Sequence, residues 1–323
     1  MDTQLCGRLH RTPDFVVIVL TYDLAVFLKI RIKWHKNSPL RFLGCRNIRV
    51  SAKSLEQGQR NLLVMVPYML PMGMRYATLE ERKEFYTKEF DSKAAVEWFR
   101  GGLSGVKFAV IMGRHTKIFL EKYREDAETT VIIDEYKDIA DVRAQVVDFL
   151  PEAVYYDRNF YSVGDQIIGQ ELAFDLDPEN IPCPIHGTLA DKMARKQGLG
   201  FCEIELDLAR KETVELFEHL EKQFCEVKAV YSGRGFHLHV FDQHANNLSP
   251  KERLKLARQI KVAGFHIDEW VTTGESRLIR LPYSLNGLVS RIVLPLKKDE
   301  LESFDAFHDM RCLPQFLRRD ATF

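Results

Sequence analysis

Two carboxylates lie two residues apart, Asp175 and Asp177, in the segment ELAFDLD (171–177). Side chains alternate along a strand, so this segment turns Leu172, Phe174 and Leu176 one way and Ala173, Asp175 and Asp177 the other. Two hard oxygen ligands on one face suit Mg²⁺ or Mn²⁺, which take carboxylates and complete their shells with water and substrate phosphates. Taken alone, a D-x-D run is common, and a strand ending in a polar loop at Pro178 accounts for it equally well.

A second chemical segment is VKAVYSGRGFHLHVFD (227–242). It reads as a hairpin whose tip, Ser232-Gly233-Arg234-Gly235, offers backbone N–H groups and a guanidinium to phosphate oxygens. On the returning strand Phe236, Leu238 and Val240 face inward, and His237 and His239 share the other face, with His237 beside the tip; a pair of half-exposed surface histidines is the plainer alternative. Further on, in HIDEWVTTGESRLIRLPYSLNG (266–287), Asp268 is a third acid in a strand-edge setting, and Arg277 and Arg280 bracket Leu278-Ile279. Between the first two segments stand Cys183, His186, Cys202 and Glu205. The C-x2-H pair has zinc-site spacing, and zinc accepts a carboxylate, so these four are either a zinc set or a knuckle of packed thiols that binds nothing.

The elements that must position these groups are partly legible. Residues 75–100 read as helical, opening with the capping box Thr78-x-x-Glu81. Strands are expected over 106–114, ending at Arg114-His115, and over 129–136, and helices over 137–150, 207–224 and 249–263. Residues 1–71 differ: basic residues are frequent and no period lasts, so the natural start is expected at Met72 or Met74, with the leader a gene-call artefact or a basic arm.

Length and composition set the outer bounds. A chain of 323 residues with 46% apolar and 28% charged residues is long enough for one large domain or two smaller ones. Lys plus Arg balances Asp plus Glu at 46 each, so net charge does not signal a nucleic-acid partner; acidic metal ligands and a basic groove would cancel in that sum. Six scattered cysteines fit a reducing intracellular compartment better than a disulfide scaffold. No apolar run is long enough to span a membrane.

In this order and with these flanks, the three segments resemble the catalytic small subunit of archaeal and eukaryotic DNA primases. The resemblance rests on Asp175 and Asp177, on Ser232, Gly233, Arg234 and His237, and on Asp268 twelve residues before Arg280 in RLIRLPYSLNG. It implies a mixed α/β (α+β) primase core over 72–323: a mixed sheet flanked by helices, with a zinc-knuckle-like insertion at 178–206. The implied activity is synthesis of short primers on a single-stranded DNA template by two-metal nucleotidyl transfer, a DNA-directed RNA polymerase reaction of replication. Asp175, Asp177 and Asp268 would hold Mg²⁺ or Mn²⁺. Ser232, Arg234, His237, Arg280 and Asn286 would face the nucleoside triphosphate, with Arg114 and His115 lining the same cleft. Cys183, His186, Cys202 and Glu205 would be the zinc set. The implied partner is a primase large subunit in a heterodimeric primosome, in the cytoplasm at the nucleoid. Two departures stand out: Asn286 occupies the place of a family histidine, and Glu205 that of a cysteine. A stand-alone repair primase-polymerase, or a catalytically degenerate nucleic-acid-binding subunit, would share the same core.

Overall fold

The computed structural model describes residues 69–100 and 102–320. All but the last three residues of the expected leader, 1–71, lie outside the described residues. Local signals start the helices. Thr78 and Glu81 form the expected capping box for Leu79–Glu84, and Ser249 with Glu252 and Pro250 opens Pro250–Val262. The long helix runs Glu203–Glu221, four residues earlier than its apolar stripe implies. Its cap is Cys202: the Cys202 N–H donates to Glu205 Oε2 at 2.7 Å, and the Glu205 N–H approaches Cys202 Sγ at 3.5 Å. Cysteine in the role of serine hides that start from a sequence reading.

The chain is a mixture of helices and antiparallel sheets. The strands among the described residues are β1 (Phe108–Ile111), β2 (Val131–Ile133), β3 (Ala153–Asp157), β4 (Asn159–Tyr161), β5 (Ile167–Gln170), β6 (Leu172–Leu176), β7 (Val227–Tyr231), β8 (Phe236–Val240), β9 (Leu278–Arg280), β10 (Leu285–Asn286), β11 (Arg291–Ile292) and β12 (Leu294–Leu296). The expected α/β mixture holds, but in place of one mixed sheet there are two four-stranded sheets, ordered β2-β1-β3-β9 and β12-β7-β8-β6, both antiparallel throughout. The aromatic stretch before the D-x-D segment supplies β3 and β4. Together with β5 it carries the chain from the first sheet to the second.

Alternation along β6 sorts its residues between two cores. Leu172, Phe174 and Leu176 pack with Leu206, Leu216 and Leu220 of the long helix and with Ala257 and Ile260 of Pro250–Val262. Ala173 instead joins Val230, Phe108, Val110, Val154 and Ile279 in the core that includes the first sheet. A sheet covered on both faces leaves its polar side chains only the strand ends or internal partners. His239 takes the second course. It is 0% exposed, its Nδ1 lies 2.5 Å from Glu171 Oε1, and the Tyr156 hydroxyl is 3.3 Å away. Both histidines are therefore interior, and the half-exposed alternative for them does not hold.

Candidate active site

The carboxylates meet at the end of β6. β6 pairs with β8 so that Asp175 stands opposite His237, and the imidazole Nε2 lies 3.5 Å from Asp175 Oδ1. Asp268 is tied to the same strand through its backbone, its N–H donating to the Asp175 carbonyl at 2.9 Å. It is the N-cap of the Glu269–Thr273 helix, where its Oδ1 accepts the Trp270 N–H at 2.9 Å, and is not the strand-edge acid that the sequence suggests.

The turn Ser232–Gly235 is pressed onto this strand end, and both glycines are needed for that. A Cβ on Gly235 would lie 2.5 Å from the Leu176 carbonyl and 3.2 Å from Asp177 Cα. Gly233 has φ +93°, and a Cβ there would meet Asn286 Cβ at 2.6 Å. The turn is closed by Ser232 N–H to the Gly235 carbonyl at 2.9 Å, by Gly235 N–H to Ser232 Oγ at 3.1 Å, and by the Tyr231 hydroxyl to the Gly233 carbonyl at 2.6 Å. This packing delivers Arg234, 7% exposed, to the acids: its Nη2 is 2.5 Å from Glu179 Oε1 and 4.0 Å from Asp177 Oδ1.

Asn286 has a different task from the one its position in the motif suggests. It is fully buried, its Nδ2 donates to the Ser232 carbonyl at 2.9 Å, and its Oδ1 accepts the Leu288 N–H at 3.2 Å. Both ends of the amide are engaged in holding the turn. Arg280 arrives from β9 on the other sheet, with its guanidinium stacked 5.0 Å over the Tyr155 ring and its Nη2 3.2 Å from the Tyr155 hydroxyl. The expected pair Arg114-His115 divides. Arg114 turns to the Glu128 carbonyl and Thr130 Oγ1, whereas His115 lies within the electrostatic reach of Arg234 and Arg280.

The site holds more like charge than it neutralises. Burial pushes Asp175 well above the usual carboxylate range, and Asp177, Asp268 and Glu179 push it further. Asp177 is raised to about 7 by burial and by Glu179, against the pull of Arg234. Asp268 is raised by burial too. Burial also drives His237 far below its normal value, with His239 and Arg280 adding to the effect, so its imidazole is neutral. Glu179 escapes the D-x-D reading, although the i, i+2, i+4 spacing of Asp175, Asp177 and Glu179 is plain in the sequence. Five buried polar atoms here have no hydrogen-bond partner: Asp175 Oδ1, Glu179 Oε2, Arg234 Nε, His237 Nδ1 and Arg280 Nη1. A concentration of orphaned carboxylate oxygens beside orphaned cation nitrogens fits a divalent cation with an anionic ligand.

The second cluster, in the insertion, is formed as the spacing suggests. The ligand atoms of Cys183, His186, Cys202 and Glu205 all lie within 4.8 Å of one another. The two sulfurs are 3.9 Å apart, Cys183 Sγ is 3.5 Å from His186 Nδ1, and His186 Nδ1 is 3.5 Å from Glu205 Oε1. Tetrahedral zinc would set these edges at about 3.8, 3.5 and 3.4 Å, so the donor set fits the ion. Burial raises the Cys202 thiol to about 11. Burial likewise pushes Glu205 up, but the Lys192 ammonium at 2.7 Å and the Cys202 N–H prevail and hold it below the usual range.

No family model matches the sequence. An Archaeoglobus fulgidus protein described as an "uncharacterized DNA primase small subunit-like protein" is 46% identical over 267 residues, covering 77% of this chain and 94% of that relative. The chain belongs to the DNA primase small subunit family. Two relatives named DNA primase small subunit PriS are more distant: that of Pyrococcus abyssi is 29% identical over 192 residues, and that of Pyrobaculum aerophilum 27% over 217. Those matches cover 57% and 52% of this chain; it spans about half (49%) of the Pyrococcus primase subunit and 67% of the Pyrobaculum one. The polymerase domain of Mycobacterium tuberculosis ligase D, solved with DNA, superposes with a TM-score of 0.42 at 17% identity, over 72% of this chain and 88% of that one.

Proposed function

We propose that this primase small subunit homologue is a template-directed nucleotidyltransferase that makes short primers on single-stranded DNA. The observation that carries the reading is the convergence of Asp175, Asp177 and Asp268 on a pocket of orphaned buried charge, with Arg234, His237 and Arg280 beside it. Three carboxylates with raised proton affinity, left together, are unfavourable unless cations join them.

In this reading Asp175, Asp177 and Asp268 bind the divalent ions, Mg²⁺ or Mn²⁺. Such ions, when bound, stabilise the attacking 3′-oxygen and the leaving pyrophosphate of an in-line displacement. Arg234 and Arg280 bind the triphosphate and neutralise its charge, His237 donates a hydrogen bond from a neutral ring, and Ser232 shapes the turn. Asn286 supports that turn from below, and no protein nucleophile is needed. Glu179 holds Arg234 in place beside the carboxylates. Zinc in the knuckle would fix the insertion, residues 178–206, against the long helix. A large subunit, a DNA template and an intracellular setting belong to the same proposal. Among the described residues, no helix is long and apolar enough to cross a membrane.

The test is incorporation of labelled nucleotides on an unprimed single-stranded template with Mg²⁺ or Mn²⁺, with and without a large subunit. Short metal-dependent products are expected. Extension of supplied primers without initiation would indicate a stand-alone repair polymerase. No products under any of these conditions would leave a non-catalytic nucleic-acid-binding subunit.

A further inference from the structure

One buried ammonium holds the turn that follows the D-x-D strand. Lys192, on the Leu189–Ala194 helix of the insertion, is 2% exposed. Its Nζ lies 2.7 Å from the Ile181 carbonyl, 3.1 Å from that of Glu179 and 3.3 Å from that of Pro178. On its other side is Glu205 Oε1 at 2.7 Å. A lysine is buried at great cost unless its charge is paired and its protons are accepted, and here three carbonyls and a carboxylate meet both needs. All three carbonyls belong to the single 3₁₀ turn Pro178–Asn180 and its C-cap, Ile181. The same turn carries Glu179, the residue that grips Arg234. Polar contacts thus run without a break from the knuckle's Glu205, through Lys192, to the turn, to Glu179 and to Arg234.

We infer that Lys192 is a positioning residue for the nucleotide site, fixing the Pro178–Asn180 turn so that Glu179 sets the Arg234 guanidinium in place. This rests on the reading of Arg234 as a ligand of the triphosphate. A guanidinium already in place spares an incoming triphosphate the cost of ordering it. Were Lys192 only a closure of the knuckle, its loss would lower stability and zinc content but leave nucleotide affinity alone.

The experiment is a cycle on the full chain: wild type, K192M, E179Q and the double variant. Affinity for a non-hydrolysable nucleoside triphosphate with Mn²⁺ is measured by calorimetry, with zinc content and thermal midpoint recorded for each protein. K192M is expected to weaken binding roughly three- to tenfold, the worth of ordering one long side chain. E179Q should weaken it similarly, and the double variant should be no weaker than E179Q, because Lys192 acts through Glu179. Wild-type affinity in K192M, or losses that simply add in the double variant, would overturn the inference and leave the site assignment standing. Failure of the wild type to bind nucleotide would overturn both. If K192M does not fold, K192R carries the same cycle: its planar fork cannot meet three carbonyls of one turn, so a partial loss that vanishes in the E179Q background is expected.

Discussion

The carboxylate site and the knuckle stand at the two ends of one short stretch of chain, and they treat buried charge in opposite ways. In the knuckle, Glu205 is matched by Lys192 at 2.7 Å, and its carboxyl is held below its ordinary value. At the end of β6, Asp175, Asp177 and Asp268 are all pushed above theirs, and five polar atoms are left without partners. The first arrangement pairs its buried anion with a buried ammonium of its own. The second leaves buried charge uncompensated, and under the proposed function a metal ion and a triphosphate complete it.

The difference makes predictions that could break it. The largest effect should come from D175A or D268A, each expected to lower metal-dependent nucleotide incorporation by about a thousandfold or more while the fold is kept. Full activity in either variant would sink the metal-site assignment. Neutralising one acid in each region should move stability in opposite directions. E205Q, which leaves the buried Lys192 without its carboxylate, should cost about 3 kcal/mol in chemical denaturation. D177N should raise the metal-free stability slightly, by about 1 kcal/mol or less, since it removes a repelling charge. A stabilised E205Q would erase the contrast.

Titration sharpens it further. With Asp177 raised to about 7, the folded metal-free protein holds a proton that the unfolded chain releases near the ordinary aspartate value of about 3.9. Its stability should therefore fall as pH rises from about 4 to about 7, followed by denaturant midpoints with a chelator present. Mn²⁺ must displace that proton, so its affinity should rise with pH over the upper part of the same interval, by up to about tenfold per unit below pH 7. A flat affinity profile would contradict the raised carboxyls.

Much of this site was legible before any fold. Strand alternation fixed the faces of Asp175 and His237, and the SGRG segment reads as the hairpin tip that the structure forms. What escaped the sequence was contact between distant segments. Glu179 lies outside the D-x-D reading, and only the packed turn shows it gripping Arg234. His237 and His239 are equivalent by alternation, yet one faces Asp175 and the other is sealed in the interior against Glu171 and Tyr156. Asn286 matches a motif position, and its burial under Gly233 redirects it from ligand to support. The family resemblance singles out Asp268, but its strand-edge setting gives way to a helix cap, because the two look alike in sequence when the helix has only five residues. The single mixed sheet implied by the resemblance gives way, among the described residues, to two four-stranded antiparallel sheets and two two-stranded ones.

The most direct measurement is Mn²⁺ binding followed by electron paramagnetic resonance, with a non-hydrolysable nucleoside triphosphate present, in wild type beside D175A and D268A. The account predicts nucleotide-dependent binding of two ions per chain in the wild type, lost or reduced in both variants. Undiminished binding in D175A and D268A would contradict it.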